Sequence, residues 1–130
     1  IYISYGETDD FAHDGDYESY LKSIKNSDSL IEDLWEYTQQ SDYYRGKTTF
    51  IITTDHGRGT EPIESWKSHG ADIKGSDQTW IILFGKGVSA KGEISSPNQL
   101  YSNQIAPTIR KLIGIPQNYA SGYGTPLKLR

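Results

Sequence analysis

Apolar residues alternate in Ile1-Tyr2-Ile3-Ser4-Tyr5, recur at helical spacing between 17 and 38, and run together at 49–52 and 79–84. Alternation predicts a first strand over residues 1–5. Gly6 to Gly15 reads as an acidic loop carrying Glu7, Asp9, Asp10 and Asp14. A helix is predicted over 16–40, with Asp16 as its N-cap. Its apolar stripe is Tyr17, Tyr20, Leu21, Ile24, Ile31, Leu34, Trp35 and Thr38. Ser27 and Asp28 interrupt that stripe, so Asp28 is either exposed or buried against a loop. A turn over Asp42–Lys47 leads to a second strand, 48–54, whose Thr49-Phe50-Ile51-Ile52 run is rich in β-branched and aromatic residues.

The rest of the chain is more broken. Residues 57–78 form a long connection with four glycines. Such connections are usually functional or mobile. A third strand is predicted at Thr79–Phe84, then a polar loop over 88–99 containing Pro97. A short helix is predicted at 103–113, capped by Ser102 or Asn103, burying Ile105, Ile109, Leu112 and Ile113. Pro107 fits its first turn, Gly114 its C′ position, and Pro116 blocks continuation. The tail, Asn118–Arg130, has no clear assignment.

Strand, long helix and strand make a βαβ unit, which requires parallel strands and a right-handed crossover. The fold class is therefore α/β, a largely parallel sheet with flanking helices. On that topology the loops after strands one and two leave the same sheet edge, where ligands bind in open α/β folds. Asp9 and His13 follow the first strand; Asp55 and His56 follow the second.

The whole chain has 130 residues, enough for one domain. An opening inside a strand, with no lead-in, reads as the C-terminal segment of a longer catalytic domain. Any targeting signal would lie upstream, which leaves localisation open. Net charge is -4 and the 13 Lys and Arg are scattered, so no nucleic-acid surface is expected. No run is long enough for a membrane span. With no cysteine, disulfides and thiolate sites are excluded.

All three histidines lie in loops at predicted sheet edges. Each alone reads more simply as a solvated residue. Together with the nearby aspartates they have the donor set of a metal site. Asp9-x-x-x-His13 puts carboxylate and imidazole on one face if the loop coils, with Asp10 as the competing ligand. His69 would complete a three-ligand set with an open position. Asp55 and His56 would hold a second ion, and two such ions can clamp a phosphoryl transfer. Arg58 and Lys67 flank these residues as candidate binders of a substrate anion, or as solvated charges.

Asp9-x-x-x-His13, Thr54-Asp55-His56-Gly57 and His69-Gly70 before a strand resemble the C-terminal half of the alkaline phosphatase superfamily. Gln104-Ile105-Ala106-Pro107-Thr108-Ile109, Leu112 and Gly114-Ile115-Pro116 resemble its closing helix, so the likeness covers about residues 1–116. The resemblance implies part of a three-layer sandwich and a two-metal site for zinc or manganese, with magnesium as a further candidate. It assigns Asp9, His13 and His69 to one ion, and Asp55 and His56 to the other. In that family an upstream Asp and a Ser or Thr nucleophile complete the second ion, and neither has a counterpart here. His56 stands where a sulfatase usually carries Asn, which argues against the one-calcium pattern. The implied function is metal-dependent hydrolysis of phosphomonoesters or phosphodiesters. The alternatives are a phosphoglycerate-mutase-like phosphotransferase, or a non-catalytic metal-binding or interaction domain. The implied partners are a phosphorylated small molecule and the missing N-terminal half of the same protein. The segment by itself is expected to be inactive.

Overall fold

A computed structural model describes residues 1–95, 98–117 and 122–129. Pro97 and the start of the tail, 118–121, lie outside the described residues. The chain divides into two compact units, Ile1–Thr48 with Thr53–Trp80, and Thr49–Ile52 with Ile81–Arg130.

The first unit opens on a segment, 1–6, that is neither strand nor helix. The predicted first strand is therefore corrected. Alternation encodes two faces, but a strand exists only where a neighbouring strand takes up its backbone hydrogen bonds, and Ile1 and Tyr2 lie in the open.

The acidic loop is also corrected: it is a helix, α1, Glu7–Asp14. Glu7, Asp9 and Asp10 occupy its first turn, where negative charge is favoured by the helix dipole. Gly15 ends it in the left-handed conformation (φ 74°), and the next residue caps a second helix, α2, Tyr17–Gln40. Asp16 accepts from the Ser19 backbone N–H at 3.0 Å, as its N-cap reading requires. Two helices thus meet at a two-residue corner, and α1 packs against α2 with Ala12 fully buried.

The buried side of α2 differs from the predicted stripe. Ser23, outside that stripe, is buried together with Thr38, which belongs to it, while Tyr17, Leu21 and Ile24 of the stripe are exposed, as is Asp28. The buried hydroxyls satisfy themselves on their own helix: Ser23 Oγ donates to Tyr20 O (2.8 Å) and Thr38 Oγ1 to Trp35 O (2.8 Å). A hydroxyl so paired can be buried without the cost of an unmade hydrogen bond.

The second unit contains a two-stranded sheet of β1, Thr49–Thr53, and β2, Ile81–Gly85. The pair is antiparallel; the parallel pairing expected of residues 1–5 with 48–54 does not form, because residues 1–6 are not a strand. Thr49 Oγ1 donates to Lys86 O (2.6 Å), Thr53 Oγ1 donates to Trp80 O (2.7 Å), and Phe50 stacks on Phe84 with ring centres 4.9 Å apart. Low partner numbers against high ones define antiparallel register. Consecutive strands joined without a crossover helix pair this way.

A short 3-10 turn, Ser102–Gln104, leads into α3, Ile105–Leu112. Pro107 lies in its first turn and Gly114 follows its C-cap at φ 72°, both as expected. Its buried residues are Pro107 and Thr108; Ile109 and Ile113 are exposed, contrary to the predicted face. The reason is the tail, whose backbone docks on the opposite side. Gly124 N donates to Asn103 O (3.1 Å), Gln104 Nε2 to Thr125 O (3.0 Å), and Leu127 N to Thr108 Oγ1 (2.8 Å). Thr108 is fully buried and passes its own proton to Gln104 O at 2.6 Å. Thr108→Val keeps the shape but leaves the Leu127 N–H without its acceptor. The expected cost is about 1–3 kcal/mol in urea unfolding. A change below ~0.5 kcal/mol, the size of an ordinary surface substitution, would show that this bond does not hold the tail.

No helix among the described residues is long and apolar enough to cross a membrane.

Candidate metal centre

The first unit builds the site from α1 and the connection after β1. That connection is closely packed. Gly57 N donates to Ser76 O (2.8 Å), Gly59 N to Ser68 O (3.0 Å) and Thr60 N to Lys74 O (3.0 Å). A 3-10 turn, Ile63–Lys67, sits at its centre. Two glycines make this possible. A Cβ on Gly57 would stand 2.3 Å from Gly75 O, and one on Gly59 would stand 2.3 Å from Ser65 O. Backbone passes backbone there, which only glycine permits. The result brings His56 and His69 side by side, their rings stacked at 3.6 Å and 14°.

Helix α1 supplies the other half. Asp9 and His13, one turn apart, point the same way, with Nε2 of His13 3.4 Å from Asp9 Oδ1. The same oxygen lies 3.6 Å from His69 Nε2 and 3.8 Å from His56 Nε2. His13 and His69 have ring centres 5.1 Å apart. His56 Nδ1 is 2.9 Å from Gly57 O, so a proton on Nδ1 is held there and Nε2 keeps its lone pair.

These donors fit a divalent ion. Ligand atoms on a tetrahedral zinc stand roughly 3.3 Å apart. Donor atoms of Asp9, His56 and His69 already lie within 4.8 Å of one another. Imidazole nitrogens with one carboxylate suit zinc better than an all-oxygen ion such as magnesium.

Two influences set the charge on Asp9. Burial is the largest and pushes its carboxyl up; the Arg58 hydrogen bond and charge, with His13 and His69, together outweigh it and hold it below the ordinary value. Because the folded value is the lower one, the stabilisation is present above the usual carboxylate range. It is lost only as pH falls through the depressed value.

The five candidate ligands are placed unequally. Asp9, His13, His56 and His69 converge on one carboxylate oxygen. Asp55 is at the margin: its side chain is 90% exposed, its Oδ1 lies 3.7 Å from His56 Nε2, and it accepts from the His56 backbone N–H at 3.1 Å. Asp10 is exposed. Lys67 runs back over the C-terminus of α1, so that a Cβ on Gly15 would meet its Nζ at 2.8 Å. A cation at a helix C-terminus is favoured by the dipole. Arg58 is turned inward onto Asp9.

An aromatic cluster beside the site was not legible in the sequence. Trp66 meets Tyr17 edge-on at 5.4 Å and Tyr20 at 5.6 Å, pinning the connection to the start of α2. The i, i+3 spacing of the two tyrosines was visible; their partner 46 residues on from Tyr20 was not.

This histidine–aspartate cluster has the donors of a metal centre. The family comparison agrees: residues 1–117 match the model of the metalloenzyme superfamily, and the chain belongs to that superfamily. It is 33% identical over 91 residues to GPI ethanolamine phosphate transferase 1 of Neurospora crassa, covering 69% of this chain and 8% of that protein. To the Homo sapiens protein of the same name it is 28% identical over 127 residues, 85% of this chain and 13% of that one. To the 2,3-bisphosphoglycerate-independent phosphoglycerate mutase of Campylobacter jejuni it is 23% identical over 116 residues, 88% of this chain and 21% of that one. The chain thus spans less than a quarter of the length of these relatives. No solved structure gives a significant match. The superfamily implies divalent metal ions, and Asp9, His56 and His69 form a candidate triad for one.

Proposed function

We propose that this chain is the metal-binding segment of an enzyme that cleaves phosphate esters with two divalent ions. The observation that carries the reading is the convergence of three imidazoles on one charged carboxylate oxygen. Asp9, His13 and His69 would hold one ion. His56, which stands in a close donor triad with Asp9 and His69, and the exposed Asp55 would turn toward the other. Zinc or manganese suits these donors. Bound there, the ions would supply charge to the transferring phosphoryl group and activate a nucleophile.

The chain's own contribution is a pre-gathered donor set beside an open recess. His56 and His69 form one wall of that recess, with Asp72, Lys74 and Gln78 along it. Lys74 is paired with Glu61 at 2.7 Å, so its charge is already met. A phosphorylated small molecule is the substrate class that fits, its phosphate at the ions and its alcohol portion in the recess. The exposed Leu21 and Ile24 of α2 are apolar surface that further segments of a longer protein would cover.

The relatives favour a second reading within the same chemistry. One name is that of a transferase and the other that of a mutase, and a phosphotransferase would share these ligands. A metal-binding domain without turnover is the third. The test is an assay of the longer protein carrying this segment on an activated aryl phosphomonoester and phosphodiester. Hydrolysis that stops with a chelator and returns with zinc or manganese is expected. Activity indifferent to the chelator would refute the metal-dependent reading. Metal-restored activity that appears only with an added alcohol acceptor would make the enzyme a transferase.

A further inference from the structure

Arg58 has a setting that a substrate-binding arginine does not need. Its guanidinium donates through Nη2 to Asp9 Oδ1, the same oxygen that faces the three imidazoles. Its Nη1 lies 3.5 Å from the backbone carbonyl of Trp66. The guanidinium carbon stands 5.9 Å from the centre of the Tyr20 ring. The side chain is only 16% exposed, against 37% for Asp9. Three groups from three parts of the fold therefore hold it: helix α1, the 3-10 turn and helix α2.

We propose that Arg58 is a positioning residue of the metal centre, which keeps the Asp9 carboxylate aimed at the imidazoles and remains on it when an ion is bound. This rests on the metal reading above. A carboxylate oxygen has two lone-pair directions, so one guanidinium N–H and one ion can share it. Asp9 is on a surface helix, and with only His13 beside it on that helix its side chain would be free to rotate toward solvent. Arg58 removes that freedom. The planar fork is suited to the task, because it can hold Asp9 and the Trp66 carbonyl at once. Tyr20 fixes the plane from one face. Tyr20 bears on Asp9 through Arg58, whose guanidinium carbon it faces.

Opposing this is simple repulsion: a fixed positive charge beside a metal ligand weakens the ion's hold. The two effects have opposite signs, and measurement separates them. Loss of a group that orients a ligand typically lowers metal affinity about 10–100-fold. Zinc affinity of the full chain is measured by competition with a chromogenic chelator. R58M is expected to bind zinc about 10–100-fold more weakly, and R58K to recover only part of the loss. Tyr20→Leu is expected to weaken binding several-fold on its own and to add nothing in the R58M background, since coupled positions are non-additive. A residue that merely supports the fold would give additive losses and a lowered melting temperature in the metal-free protein. Equal or tighter zinc binding by R58M, or additive losses with Tyr20→Leu, would overturn the proposal. Absence of zinc binding to the unsubstituted chain would overturn the metal reading itself and this inference with it.

Discussion

Asp9→Asn is expected to reduce zinc affinity by at least about 100-fold, more than any single histidine substitution. The side chain keeps its shape, so the change is one of charge. Among the described residues, Asp9 is the carboxylate that faces all three imidazoles, whereas Asp55 meets His56 at 3.7 Å and is 90% exposed. Three neutral imidazoles give an ion nitrogen donors but no compensating charge. Loss of a group merely hydrogen-bonded to a ligand already costs roughly 10–100-fold, and loss of the anionic ligand should exceed that. His13→Ala should cost less, because His56 and His69 both remain within 4 Å of Asp9 Oδ1. The amide also leaves Arg58 facing a neutral group, though the Trp66 carbonyl and Tyr20 still hold it. Melting of both proteins in chelator separates an effect on the fold from one on the ion. An Asp9→Asn variant that binds zinc within about threefold of the original would show that the cluster is not a metal centre.

The site was more legible than the fold that carries it. Donor types and spacing are written in the sequence, so Asp9, His13 and His69 could be proposed for one ion and Asp55 and His56 for another, whereas the structure sets His56 beside Asp9 and His69. The reason offered for their meeting was a parallel βαβ unit, and that is not how they meet. Residues 1–6 form no strand, and Asp9 with His13 stands on a helix. Helix α1 escaped notice because Phe11 and Ala12 are its only apolar residues, too few for a helical period. Helix α2 was found end to end because 24 residues average out local exceptions and Asp16 marks its start. Its buried side was misjudged at Ser23, which is polar by composition, and only the structure shows its hydroxyl turned back on the helix. Arg58 was read as a charge waiting for a substrate. Its partner lies 49 residues earlier, a separation no local pattern encodes.

A protein made of these 130 residues alone is expected to hydrolyse an activated aryl phosphate at least about 1000-fold below the ~10 s⁻¹ typical of enzymes. The reason is the nucleophile. Ions can polarise a phosphate, but efficient transfer also needs a hydroxyl held in line with the phosphorus and a base to take its proton. Three hydroxyls near the site have their protons committed. Thr53 Oγ1 donates to Trp80 O at 2.7 Å, Thr60 Oγ1 to Lys74 O at 3.2 Å and Ser65 Oγ to Pro62 O at 2.6 Å. A hydroxyl whose proton is committed to a carbonyl is neither free to rotate nor placed to lose it to a base. The second ion has a further deficit. It would rest on Asp55 and His56, and Asp55 is nearly all in solvent. A water on the first ion could still react slowly, which is why the expected rate is low and not zero. The purified 130-residue chain, loaded with zinc, manganese or magnesium, decides the matter. Turnover near 10 s⁻¹ that vanishes in both His69→Ala and Asp55→Ala would mean that these residues form a complete enzyme. The nucleophile would then be sought within the chain.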